Sequence, residues 1–75
     1  MENNNEMSFI RLQKVVKKTT IPKSTLLEMI SDGEFPAPIK LSARSRAWVQ
    51  SEVDSWMKKK IEERNKELEN STDNQ

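Results

Sequence analysis

Thr19-Thr20-Ile21-Pro22-Lys23-Ser24-Thr25, and then Gly33-Glu34-Phe35-Pro36-Ala37-Pro38-Ile39-Lys40-Leu41, are the stretches that decide the fold. Upstream of the first, Leu12, Val15 and Val16 have the i, i+3, i+4 spacing of one helix face, with Lys14, Lys17 and Lys18 on the others. The two threonines weaken that helix. Pro22 disfavours helix at Ile21 and is well placed to open the next one, which leaves a link of about four residues. The second helix is expected from about Lys23 to Asp32, with Leu26, Met29 and Ile30 as its apolar stripe. Gly33, the only glycine, ends it by accepting a left-handed conformation cheaply.

The two prolines after Phe35 hold the chain extended, and Ile39-Lys40-Leu41 alternates like a strand. Ser42-Ala43-Arg44 makes a turn without the Asn-Gly signal of a tight hairpin. Ser45 to Val49 returns, with Trp48 on one face and Ala47 and Val49 on the other; by that parity Arg46 shares the face of Trp48. Ser51 is the expected N-cap of a third helix, with Glu52 and Asp54 at its positive end and Val53, Trp56 and Ile61 along its apolar side. From Leu12 to Lys60 the order is helix, tight turn, helix, basic hairpin, helix. The fold class is a small mostly-α (α+β) winged helix-turn-helix: three helices plus a two-stranded hairpin wing.

Outside this run, residues 1–7 are polar and aperiodic, which predicts a disordered tail, and Ser8-Phe9-Ile10 reads as an extended lead-in. Residues 8–69 form the expected domain, its last turns held by pairs such as Glu62 with Lys66, and 70–75 a second disordered tail. A chain of 75 residues with 33% apolar content has a small core. Its candidates are Phe9, Leu12, Val15, Val16, Ile21, Leu26, Met29, Ile30, Phe35, Ile39, Leu41, Trp48, Val53, Trp56 and Ile61. The absence of Cys and His argues against disulfides, zinc fingers and Ser-His or Cys-His catalysis. No glycine loop or metal-ligand cluster is present, so no cofactor, no metal and no enzyme activity are expected. Nothing approaches the length of a membrane span, and Met1 to Glu6 does not resemble a signal peptide.

The net charge of +1 hides segregation: residues 8–60 carry a net +6, residues 61–75 a net −3, and Glu2 and Glu6 add two more negative charges. A basic body with acidic ends suits a polyanionic partner. Phosphate neutralisation is the expected source of affinity, from Lys14, Lys17, Lys18, Lys23, Lys40, Arg44 and Arg46. Ser24 and Thr25 open the second helix, where they can donate to phosphate or meet base edges, or one of them can cap the helix. Glu28 can accept from cytosine N4, and Arg44 at the hairpin tip can enter a minor groove or clamp the backbone. The candidate DNA-binding set is therefore Lys14, Lys18, Lys23, Ser24, Thr25, Glu28, Lys40, Arg44 and Arg46. Trp48 and Trp56 could stack on bases, but their apolar-periodic positions assign them to the core.

The order Arg11-Leu12-x-x-Val15, Thr19 to Thr25, Gly33-x-Phe35-Pro36-x-Pro38-Ile39-Lys40-Leu41, Arg46-Ala47-Trp48 and Glu52-Val53-x-x-Trp56 resembles the AlpA-type prophage regulators, relatives of phage excisionases and MerR-like winged-helix domains. The resemblance spans about residues 9 to 60. It implies a cytoplasmic, nucleoid-associated bacterial protein that binds double-stranded DNA, acting at a promoter for an integrase-type gene or as an excisionase-like accessory factor. The chain departs from the family pattern in two places. Thr20 stands where a turn glycine is usual, and Leu27-Glu28 replaces an aromatic and a basic residue. A module this small reads few base pairs, so a homodimer or a cooperative array is expected on repeated sites. The competing reading is a protein-interaction module docking on a recombinase or response regulator, which Leu27, Glu28 and the acidic third helix favour.

Overall fold

The computed structural model describes residues 7–72, with side chains through residue 69. In chain order the elements are β1 (Phe9–Ile10), α1 (Leu12–Thr19), α2 (Lys23–Ser31), β2 (Ile39–Ser42), β3 (Ser45–Val49) and α3 (Gln50–Thr72). Three helices and an antiparallel hairpin make the expected small α+β winged-helix arrangement. The lead-in adds a third strand, giving the sheet order β1-β3-β2. β1 pairs Phe9 with Val49 and Ile10 with Trp48; β2 pairs Ile39 with Ala47 and Lys40 with Arg46, then shifts register through a bulge before Ser42.

The helix-turn-helix link is three residues, Thr20 to Pro22. Thr20 takes the left-handed conformation at φ 61°, ψ 14°, and its N–H donates to the Val16 carbonyl at 2.7 Å. The Thr19 hydroxyl donates to the Val15 carbonyl at 2.8 Å and accepts the Ile21 N–H at 3.2 Å, so the turn is pinned from both sides. α2 ends on Asp32, and Gly33 at φ 78° closes a Schellman motif. The Glu34 N–H donates to Met29 and the Gly33 N–H to Ile30.

The core is Ile10, Val15, Leu26, Phe35, Trp48 and Val53, with Leu12, Val16, Ile21, Met29, Ile30, Trp56 and Met57 packed around it. Val15, Leu26 and Val53 are completely buried, one from each helix, each contributing about 1.5–3 kcal/mol. The loop between α2 and β2 is stitched to this core by both indoles. Trp48 Nε1 donates to the Pro36 carbonyl at 2.9 Å and Trp56 Nε1 to the Glu34 carbonyl at 2.8 Å. Phe35 meets Trp56 edge-on, with centroids 4.7 Å apart.

Several expectations are corrected here. Phe9, Ile39, Leu41 and Ile61 are exposed, while Ile10, Ala47 and Val49 are buried. In a two-residue strand only one side chain faces inward, and that one is Ile10. β2 is an edge strand exposed along its length. Ser51 does not cap α3. The helix starts at Gln50 straight from β3, with the Gln50 N–H donating to Ser8 at 2.8 Å, so Ser51 lies inside its first turn. The ion pair near the start of the acidic stretch is Lys60 with Glu63 at 3.3 Å rather than Glu62 with Lys66. α3 continues through residue 69, the expected domain boundary, to Thr72. The expected tails fall outside the described residues over 1–6 and 73–75.

Candidate nucleic-acid interface

The first turn of α2 carries Lys23, Ser24 and Thr25, all exposed. Pro22 occupies the N-cap position, and no side chain caps the helix. Both alternatives for the hydroxyls are thereby narrowed: neither Ser24 nor Thr25 serves as the cap. The backbone N–H groups of this turn have no intrahelical acceptor, and the first intrahelical bond is from Leu26 to the Pro22 carbonyl at 2.9 Å. A lysine, two hydroxyls and unsatisfied N–H donors at the positive end of a helix form an anion-facing surface. One turn on, Leu27 and Glu28 are also exposed on α2.

The second group is the hairpin. Lys40 and Arg46 are directly opposed across β2 and β3, and Arg44 sits in the turn between the strands. Like charges directly opposite destabilise a strand pair. The hairpin itself holds no acid to offset them, since there is no Asp or Glu between Glu34 and Glu52. Arg46 shares the Trp48 face by register, as the parity argument requires. It lies toward the turn end of β3, where the burial of Ala47, Trp48 and Val49 gives way to solvent. Among the described residues, neither Lys40, Arg44 nor Arg46 has an ion-pair partner.

α1 supplies the third group. Gln13, Lys14, Lys17 and Lys18 line a shallow basic depression. Lys18 differs from its neighbours because its ammonium is held by Asp54 of α3 at 2.9 Å. This ion pair ties α1 to α3 and sets Lys18 apart from the free cations Lys14 and Lys17. Arg11 was legible only as part of a motif. Its guanidinium Nη1 donates to Ser45 Oγ at 3.0 Å and to the Arg46 carbonyl at 3.2 Å, clamping the start of α1 to the strand that carries Arg46. The two residues lie 34 and 35 positions away, so no local pattern announces the contact.

Neither tryptophan is available as a stacking platform on the hairpin: Trp48 is buried, and Trp56 is half-buried with Lys60 over its ring at 5.5 Å. Among the described residues there is no cluster of His, Cys, Asp or Glu able to hold a metal, and no helix is long and apolar enough to cross a membrane.

Comparison with known proteins follows the same boundaries. A family model described as prophage CP4-57 regulatory protein (AlpA) matches residues 8–61. An uncharacterized protein, ORF88, of Enterobacteria phage P4 is 38% identical over 53 residues, covering 71% of this chain and 60% of that protein. The DNA-binding transcriptional activator AlpA of Escherichia coli is 27% identical over 63 residues, covering 76% of this chain and 90% of that protein. No solved structure gives a significant match.

Proposed function

The chain belongs to the AlpA family of prophage regulatory proteins, and from that membership we propose that it binds duplex DNA and regulates transcription. The observation that carries the reading is the uncompensated Lys40–Arg46 pair on the wing. Two cations held side by side, with no acid on their hairpin, lower the stability of the free protein and are relieved by a phosphate. The open N-terminus of α2 supports the same reading from the other half of the helix-turn-helix.

In this reading α2 enters the major groove by its first turn. Lys23, Ser24 and Thr25 contact phosphate or base edges, Glu28 accepts from cytosine N4, and Leu27 packs on a thymine methyl. Lys40, Arg44 and Arg46 hold the flanking backbone, and Lys14 adds a phosphate contact from α1. Lys18 acts chiefly through Asp54, reaching DNA only if that pair opens. The DNA-binding unit is residues 8–69. The targets we propose are a promoter for an integrase-type gene, or an attachment-site region where the chain serves as an excision accessory factor. Repeated sites are bound by several copies, in the bacterial cytoplasm on the nucleoid.

The test is fluorescence anisotropy with duplexes tiled across the flanks of its own gene and of the neighbouring integrase, at two salt concentrations. The expected result is one preferred tile and an affinity that falls steeply with salt. The variant Arg46→Glu separates function from folding because its two effects have opposite signs. It converts a repulsive cross-strand pair into an attractive one, so stability rises by about 0.2–1 kcal/mol while DNA affinity drops at least about tenfold. Equal DNA binding by this variant removes the wing from the interface. Exposed Leu27 favours a second reading, docking on a recombinase or regulator protein. That activity survives charge reversal at Arg44 and Arg46 and is insensitive to salt.

A further inference from the structure

We propose that Arg11 is the positioning residue of the wing. It sets the angle between the basic hairpin and the helix-turn-helix, so that Arg44 and Arg46 meet the DNA backbone while α2 lies in its groove. The inference rests on the duplex-DNA reading above and adds to it a residue that acts through others.

The hairpin needs such a device. Its base is anchored, since Trp48 is buried and its indole is bonded to the Pro36 carbonyl. Toward the tip this support gives out. β1 makes its last pair between Ile10 and Trp48, so β3 from Ser45 to Ala47 has a strand neighbour on the β2 side alone. That neighbour is exposed along its length and breaks register between Lys40 and Ser42. A two-stranded ribbon without further packing is only marginally stable and twists readily.

Arg11 stands where β1 stops. Its Nη1 bonds to Ser45 Oγ and the Arg46 carbonyl take over where the strand pairing ends. The backbone of Arg11 belongs to the helix: it is the N-cap residue of α1, and its carbonyl accepts the Lys14 and Val15 N–H groups at 3.0 Å each. α1 in turn leads to α2 through the short link from Thr20 to Pro22. One side chain thereby joins the hairpin to the rigid unit that carries Lys23, Ser24 and Thr25.

The two acceptors are well chosen for this task. Ser45 lies between Arg44 and Arg46 in the chain, and the second acceptor is the backbone of Arg46 itself. Fixing them fixes the directions in which both basic side chains leave the strand. A guanidinium suits a site beside DNA, because it bonds two neutral acceptors without placing negative charge where phosphate approaches. Both bonds lie on exposed surface, so they add only modestly to the stability of the fold. Their effect is on orientation, which DNA affinity reads and thermal melting does not.

Two measurements on the full chain test this with Arg11→Met, which keeps the stem and removes the donors. In the free protein, nitrogen-15 relaxation should show the backbone order of Arg44 to Ala47 falling from about 0.85 toward 0.6, with α1 and α2 unchanged. On the preferred duplex, anisotropy across a salt series should show the slope of log affinity against log salt reduced by about 1.8, the share of two phosphate contacts, whereas a lone contact from Arg11 itself would be worth about 0.9. The double variant Arg44→Ala, Arg46→Ala should match that loss, and adding Arg11→Met to it should change affinity by less than about twofold, because the residue acts through the two it positions. Circular dichroism confirms folding, and Arg11→Gln replaces Arg11→Met if that variant melts early. Unchanged order in the hairpin, a slope reduced by about 0.9 or less, or full additivity in the triple variant overturns the proposal. A parent chain that binds no duplex overturns the DNA reading itself, and the relaxation measurement, which needs no DNA, keeps that failure separate from failure of the clamp.

Discussion

Thr20 is a β-branched residue held at φ 61°, where a Cβ costs roughly 1–2 kcal/mol, and its own hydroxyl donates to the neighbouring Thr19 carbonyl. The position asks for glycine. Thr20→Gly is expected to raise stability by about 0.5–1 kcal/mol, or roughly 4–8 °C in Tm per kcal/mol, read by thermal melting. Gly33 is the mirror case. At φ 78° a Cβ would meet nothing within 4 Å, so the cost of Gly33→Ala is purely conformational and should be about 1 kcal/mol in the same assay. A larger loss would mean that the Schellman closure itself had failed. Gly33 was plain in the sequence, because a lone glycine after an apolar-periodic run has one obvious use. The left-handed state of Thr20 was hidden in its residue type and surfaced only through the departure from the family pattern.

At the scale of elements, the helices were readable because their apolar spacing coincides with what is buried: Val15, Leu26 and Val53 each anchor one. The strands were less so. Alternation gave the two faces of β3 but not which flanking strand completes them, and the pairing of Phe9 and Ile10 with Val49 and Trp48 spans some 40 residues. The candidate site divides the same way. Lys23 to Thr25 follow from the helix start, and Arg44 from the turn, whereas the capture of Lys18 by Asp54 and the Arg11 clamp depend on tertiary geometry. α3 is two kinds of helix in one. Its first two turns are fixed by Val53, Trp56 and Met57, and the rest rests on propensity and local charge pairs, which hold isolated helices only marginally. Hydrogen exchange on a dilute monomer should therefore show amides past Lys60 exchanging at least about 100-fold faster than those near Val53. Uniform protection along α3 would mean the distal half has tertiary support.

For the molecule as a whole, charge segregation sets the balance between attraction to and repulsion from a polyanion. The residues after Ile61 subtract three charges from a body of net +6. A chain ending at Ile61 loses only exposed described side chains, so its Tm should stay within a few degrees of the parent. On a single short duplex at low salt it should bind more tightly, by about three- to tenfold, with the gap closing as salt screens the tail. Anisotropy on one site measures this. Weaker binding by the shortened chain would place the helix end on DNA. The two indoles give such experiments an optical handle. The chain has no tyrosine, so its near-ultraviolet emission comes from Trp48 and Trp56, and both are bonded to the same three-residue span, Glu34 to Pro36. One ring is sheltered and the other half-wet. Intrinsic fluorescence is therefore a gauge of a single joint, the one that sets the wing against the second helix.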